Sequence, residues 1–254
     1  MTVTIAVVGK SGSGKTAFTH SLFTALHNEY KEKSILLVDN TLGRDLAAIF
    51  GLDVKNTIHS IRTGKYVYSS PIHEGMKKSE LIEWMLNEII INLSSEAGGT
   101  DLLVSGPVFT EECTCVTARY IKDAMKKLIK SYDIVIIDCE YDLSYVNQLV
   151  NYYPDVTLVL AEPTVTSVHS AIKIRESSMK YATPGQIGVV LNKVRDFRVP
   201  EDITAIMMEY DFDILGVLPY EEELETEDVT HGSDSLGLSA QELIFRLNLP
   251  FWDN

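Results

Sequence analysis

The sequence predicts an α/β fold: a three-layer arrangement with a mainly parallel central sheet and helices on both faces. Two observations predict it. Short, continuously apolar runs recur along the chain, and stretches of helical period separate them. Strands apolar on both faces belong in a sheet covered on both sides, and parallel neighbours need the crossovers that intervening helices supply.

In order, "TVTIAVVG" reads as a buried strand, followed by a helix from Thr16 to about Tyr30. "SILLVDN", "DLLVSG", "DIVIIDCE", "DVTLVLAE", "QIGVVLNK" and "FDILGVLP" read as further short strands. "SELIEWMLNEIIINL", "VTARYIKDAMKKLIKSY", "LSYVNQLVNYY", "TSVHSAIKIRESSMKY", "PEDITAIMMEY" and "SAQELIFRLNL" read as helices. Ile121, Met125, Leu128 and Tyr132 form one apolar stripe along the second of these. "YEEELETEDVTHGSDSLG" reads as an acidic, turn-rich surface segment. No repeat or linker divides the chain, so a single domain over 1–254 is expected.

The 254 residues are 45% hydrophobic and 23% charged, an ordinary soluble composition. A net charge of -14 argues against a sequence-independent hold on DNA or RNA and against an anionic membrane surface. The start, "MTVTIAVVGK", lacks the pattern of a signal peptide, and no apolar run is long enough for stable membrane insertion. Three cysteines without a leader point to a reducing, cytoplasmic setting.

The first strand runs into Gly9-Lys10-Ser11-Gly12-Ser13-Gly14-Lys15-Thr16, which satisfies G-x-x-x-x-G-K-[ST] between a strand and a helix. Glycines let successive N–H groups face a phosphate, and the helix N-terminus adds partial positive charge. Lys15 is placed to reach the β- and γ-phosphates, and the Thr16 hydroxyl to bind Mg²⁺. The nucleotide-binding candidates are these eight residues together with Ala17. Asp138, ending "DIVIID", is the expected second Mg²⁺ group. Guanine readers carry N-K-x-D after a late strand; here Asn192-Lys193 is present but Asp196 falls one place late. ATP/ADP is therefore the expected ligand, with Asn192 a candidate for the base edge.

The span Lys10 to Thr16, K-x-G-x-G-K-T, resembles the deviant Walker A loop of the SIMIBI-class P-loop ATPases, which include the MinD/ParA-type ATPases and the nitrogenase iron protein. The resemblance implies that Lys10 reaches across a homodimer interface to the partner's γ-phosphate, so that the dimer closes with ATP and opens after hydrolysis. "SGPVFTEECTCVTARYIKDAMKKLI", "DIVIIDCEYDLSYV", "VLAEPTVTSVHSAIKIRE", "VVLNKV" and "LGVLPY", in this order, resemble the CooC-type ATPases that assist nickel insertion into carbon monoxide dehydrogenase. That narrower likeness implies a nucleotide-contacting Pro219 and a client metalloenzyme. Cys113 and Cys115, taken twice across a twofold axis, give four thiolates, a set suited to Ni²⁺ or Zn²⁺. Cys139 reads as a small packed residue.

Two positions depart from the family pattern. Where that pattern has two acids after the second strand, this chain has Asp39 and then Thr41. A threonine binds water but is a poor base, so Asp39 or Asp45 is left to compensate, or hydrolysis is slow. Asp142 stands where the family has a glycine, with Glu140 nearby, and carboxylates there repel a triphosphate unless turned away or paired. Lys10, Lys15 and Asp39 are the catalytic candidates. The leading expectation is an ATP-hydrolysing dimeric metallochaperone; the alternative is a positioning or partition ATPase; a third is a reductase with an intersubunit iron–sulfur cluster. "SAQELIFRLNLPFWDN" carries Arg246 as its lone base, which gives membrane targeting weak support.

Overall fold

In the computed structural model the described residues are 1–69, 75–94, 99–106, 116–141, 154–181, 185–220, 234–247 and 249. Eight strands form one sheet: β1 (Val3–Gly9), β2 (Ile35–Asn40), β3 (Ile91–Ser94), β4 (Thr100–Val104), β5 (Ile134–Cys139), β6 (Val156–Ala161), β7 (Gln186–Val194) and β8 (Ile214–Pro219). Their order is β3-β4-β2-β5-β1-β6-β7-β8, and every neighbouring pair is parallel except β3–β4. The described helices are α1 (Lys15–Glu29), α2 (Asp45–Ile49), α3 (Ile58–Thr63), α4 (Lys78–Glu88), α5 (Val116–Ile129), α6 (Val165–Tyr181), α7 (Glu201–Glu209) and α8 (Asp234–Arg246).

Alternation along the strands divides the core into two layers. Ile5 and Val7 of β1 pack with Phe18, Leu22 and Leu26 of α1 and Leu236, Leu243 and Ile244 of α8 on one face. Ala6 and Val8 pack on the other, with Leu86 of α4, Met125 of α5, Ile172 of α6 and Met207 of α7. β1, β2 and β5 are buried along their whole length, as parallel strands covered on both faces must be.

The expected stripe on α5 is present: Ile121 and Met125 are buried, and Leu128 is partly buried against the same cluster. Tyr132 lies past the helix end, where its hydroxyl donates to Asp101 Oδ2 at 2.7 Å.

The structure differs from the sequence expectation at β3, at α2 and α3, and at α8. The long helix expected through "EIIINL" stops at Glu88, and Ile91–Ser94 instead form the antiparallel edge strand β3. Ile89 caps the helix, and from Ile91 the chain pairs with β4, which supplies the backbone partners a further helical turn would have to forgo. The short helices α2 and α3 carry too few residues for a readable period. The last helix begins at Asp234, so the end of the segment expected as an acidic turn is helical. The stretch "LSYVNQLVNYY" lies outside the described residues.

β1 sits between β5 and β6, where the strand order reverses, and Val7 pairs in register with Asp138 while Asp39 does so too. Ligands of open parallel sheets bind outside the strands' carboxyl ends at such a reversal. The Gly9–Thr16 loop leaves β1 there.

Candidate functional site

The loop after β1 is built by glycines in the left-handed region. Gly12 has φ 81° and Gly14 φ 88°, and Gly14 is the N-cap of α1. A Cβ on Gly14 would run into Asn192 Nδ2, so this glycine is required by close approach as well as by its backbone. Lys10 O accepts from Ser13 N at 3.2 Å, closing the turn. Gly9 N donates to Tyr141 O at 2.9 Å, tying the loop's root to the segment after β5.

Lys15 is buried at the start of α1, and its Nζ donates to Lys10 O at 3.2 Å. Burial lowers its pKa; Asp138 and Glu140 oppose that shift. Lys10, Ser11 and Gly12 are exposed, whereas Ser13 is buried with Oγ unpartnered. Lys10 therefore stands at the mouth of the loop and Lys15 at its floor.

Thr16 Oγ1 donates to Asp138 Oδ2 at 2.7 Å. Asp138 is fully buried, and its Oδ1 has no hydrogen-bond partner. Burial raises its carboxyl to about 7, with the Thr16 hydroxyl lowering it and Asp39 raising it. A hydroxyl and a carboxylate in contact, with one carboxylate oxygen left over, form a hard oxygen donor set that fits Mg²⁺. Among the described residues no group of three or more His, Cys, Asp or Glu is arranged to hold a metal by itself.

Asp39 is also fully buried, and both its oxygens are occupied. Oδ1 accepts from Thr41 Oγ1 at 2.7 Å and Thr41 N at 3.2 Å; Oδ2 accepts from Ala47 N at 3.1 Å. Burial nonetheless raises its pKa above the usual carboxylate value. Thr41 Oγ1 in turn accepts from Asp45 N at 3.1 Å. The pair thus holds the 41–47 turn together from within. Thr41 spends its proton on Asp39, an arrangement directed at the chain's own backbone. Asp45 is exposed at the start of α2. Glu140 is turned to the same loop, its Oε2 accepting from Leu42 N at 2.8 Å, while its charge still acts on Lys15.

Asn192, at 9% exposure, donates from Nδ2 to Ser13 O at 2.8 Å and accepts at Oδ1 from Lys193 N at 2.8 Å. Its amide braces the glycine loop, a role its sequence position did not signal. Pro219 ends β8 opposite Val194, and Ala17 is half-buried on α1. Cys139 is buried as expected. Cys113, Cys115 and Asp142 lie outside the described residues.

The family of CobQ/CobB/MinD/ParA nucleotide binding domains matches residues 4–232. The chain belongs to this family. It is 31% identical over 228 residues to an uncharacterized ATP-binding protein of Methanocaldococcus jannaschii, covering 89% of this chain and 87% of that one. Among solved structures it resembles the MinD cell division protein of Aquifex aeolicus, with TM-score 0.69 and 18% identity over 96% of this chain and 95% of that one. The septum site-determining protein MinD of Pyrococcus horikoshii, complexed with Mg-ADP, gives TM-score 0.65 at 20% identity over 98% of this chain and 100% of that one. The expected three-layer fold is thus the observed one. Among the described residues no helix is long and apolar enough to cross a membrane.

Proposed function

We propose that the whole chain, 1–254, is a single cytoplasmic domain that binds Mg-ATP, forms a homodimer in that state, and hydrolyses the nucleotide slowly. The reading is that of a MinD/ParA-type switch. The observation that carries it is the convergence of Lys15, Thr16 and Asp138 at the glycine loop, with Lys10 exposed at its mouth. Family membership and the ATP-binding protein named among its relatives support the same ligand.

Lys15 exchanges its bond to Lys10 O for phosphate oxygens, a substitution favoured because a backbone carbonyl only half satisfies a buried ammonium. Inward-facing amides of the loop and the α1 N-terminus hold the remaining phosphate charge. Thr16 and Asp138 would hold Mg²⁺, which supplies charge neutralisation between the β- and γ-phosphates. Lys10 of one protomer reaches the γ-phosphate of the other, an added cation where negative charge develops. Slow turnover follows from Thr41, a poor base, and from the enclosure of Asp39, whose two oxygens are both bonded within the 41–47 turn.

The test combines calorimetry with mass measurement by light scattering. Mg-ADP is expected to give heat and a monomer; a non-hydrolysable ATP analogue gives heat and a doubled mass. Lys10→Ala keeps the heat and loses the doubling. No heat with either nucleotide overturns the reading.

A second reading, the metallochaperone for a client metalloenzyme such as carbon monoxide dehydrogenase, rests on Cys113-x-Cys115. Two copies supply four thiolates for one Ni²⁺ or Zn²⁺ per dimer. Native mass spectrometry of anaerobically purified protein with the ATP analogue decides it. One metal per dimer, lost in Cys113→Ser or Cys115→Ser, supports it; metal-free dimers remove it and leave the switch reading intact.

A further inference from the structure

We propose that Arg195 is the residue that makes this site select an adenine over a guanine base; this rests on the nucleotide-switch reading above. Asn192-Lys193-Val194-Arg195 occupies the register of the guanine reader's N-K-x-D, with a guanidinium where that motif has its carboxylate. The register is anchored at the site, because Asn192 Nδ2 is bonded to Ser13 O of the glycine loop at 2.8 Å. Arg195 follows three residues later, just beyond the carboxyl end of β7.

The end of β8 lies alongside. Val194 pairs with Pro219, and Tyr220 N donates to Val194 O at 3.0 Å. This brings the Tyr220 ring under the Arg195 guanidinium, 4.3 Å from carbon Cζ to ring centroid. A cation held on a ring face keeps its N–H edge in a defined plane. The other cation of the stretch, Lys193, is engaged elsewhere, its Nζ 3.0 Å from Glu162 Oε1. The backbone is strained to make this turn: Lys193, Asp196 and Phe197 have φ of 61°, 53° and 54° without being glycine. Such conformations persist where surrounding structure enforces them, and they concentrate at ligand sites.

The selection follows from donor and acceptor counts. The edge of guanine that an aspartate reads presents two donors, N1–H and the N2 amino group. A guanidinium has five N–H groups and no acceptor, so the two would face each other unpaired. Adenine presents N1 as an acceptor on that edge, which the guanidinium can serve. Rejection by unpaired polar groups discriminates more strongly than shape alone.

The experiment measures Mg-ATP and Mg-GTP affinities calorimetrically for the full chain and four variants. The wild type is expected to favour ATP at least tenfold. Arg195→Asp, which completes N-K-x-D, lowers the ATP-to-GTP ratio at least tenfold, and Arg195→Gln lowers it less. Tyr220→Phe keeps the ring and the ratio, whereas Tyr220→Ala lowers the ratio. Equal ratios in the wild type and both Arg195 variants overturn the inference and leave the nucleotide switch standing. Preference for GTP in the wild type also overturns it. Binding of neither nucleotide by the wild type overturns the switch reading and this inference together.

Discussion

The Thr16 hydroxyl and the Asp138 carboxylate, 122 residues apart in sequence, meet at 2.7 Å. That bond occupies one Asp138 oxygen and leaves the other buried and unpartnered. An unpartnered buried oxygen costs the nucleotide-free fold stability, and it is the atom that the proposed Mg²⁺ would take.

The first prediction concerns pH. The Asp138 carboxyl is raised from 3.8 to about 7 by burial. The folded state therefore binds this proton more tightly than the unfolded chain. Its stabilising contribution is whole below about pH 4 and is lost as pH rises through 7. Asp138→Asn should raise the melting temperature of nucleotide-free protein at pH 8 and change it little at pH 4. The same variant should lose most of its Mg²⁺ dependence of nucleotide binding. In the wild type Mg²⁺ affinity should fall about tenfold per pH unit below 7, since metal and proton compete for one carboxylate.

Gly14→Ala and Gly12→Ala should separate strain from collision. Both positions have φ near the left-handed region, 88° and 81°. A methyl on Gly12 meets nothing within 4 Å, while one on Gly14 strikes Asn192. Gly12→Ala should cost about 1 kcal/mol from backbone strain, and Gly14→Ala roughly 2–3 kcal/mol with a large loss of nucleotide affinity. Chemical denaturation and calorimetry read both.

Placing an acid at position 41, where the resemblance led us to expect one, should fail. Thr41 donates to Asp39, and an ionised aspartate cannot. Thr41→Asp should destabilise the protein, more at pH 8 than at pH 5, and leave phosphate release no faster. Thr41→Val should cost about 1.5–3 kcal/mol for a lost bond to a buried charge, and Thr41→Ser much less.

Lys15→Ala should abolish nucleotide binding, by at least 100-fold in Kd, while leaving the melting temperature near or above that of the wild type. The group removed is a buried cation whose pKa is already lowered by burial. A large drop in stability instead would mean that the bond to Lys10 O is a structural requirement.

The glycine loop, Thr16 and Asp138 were legible in the sequence because each is fixed by a neighbour a few residues away. A strand must precede the loop, a helix must follow it, and an acid must end an apolar run. The roles of Asp39, Thr41, Glu140 and Asn192 were not: Glu140 and Asn192 depend on which distant backbone atom lies within 3 Å, and Asp39 and Thr41 on how the turn after β2 folds back on itself. Periodicity cannot report that. Similarly, β3 was hidden in "EIIINL" because an edge strand's few residues fit a helical stripe equally well; pairing with β4 decides it. Glu140 looked like a liability beside a triphosphate, and the structure gives it the Leu42 amide instead.

That last contact has a mechanical side. Glu140 lies two residues beyond Asp138, and Leu42 projects into solvent at 54% exposure three residues beyond Asp39. A hydrogen bond of 2.8 Å tolerates only tenths of an ångström of slippage. A displacement of the β5 end beyond that tolerance must therefore carry the Leu42 turn with it or break the bond that ties the two together.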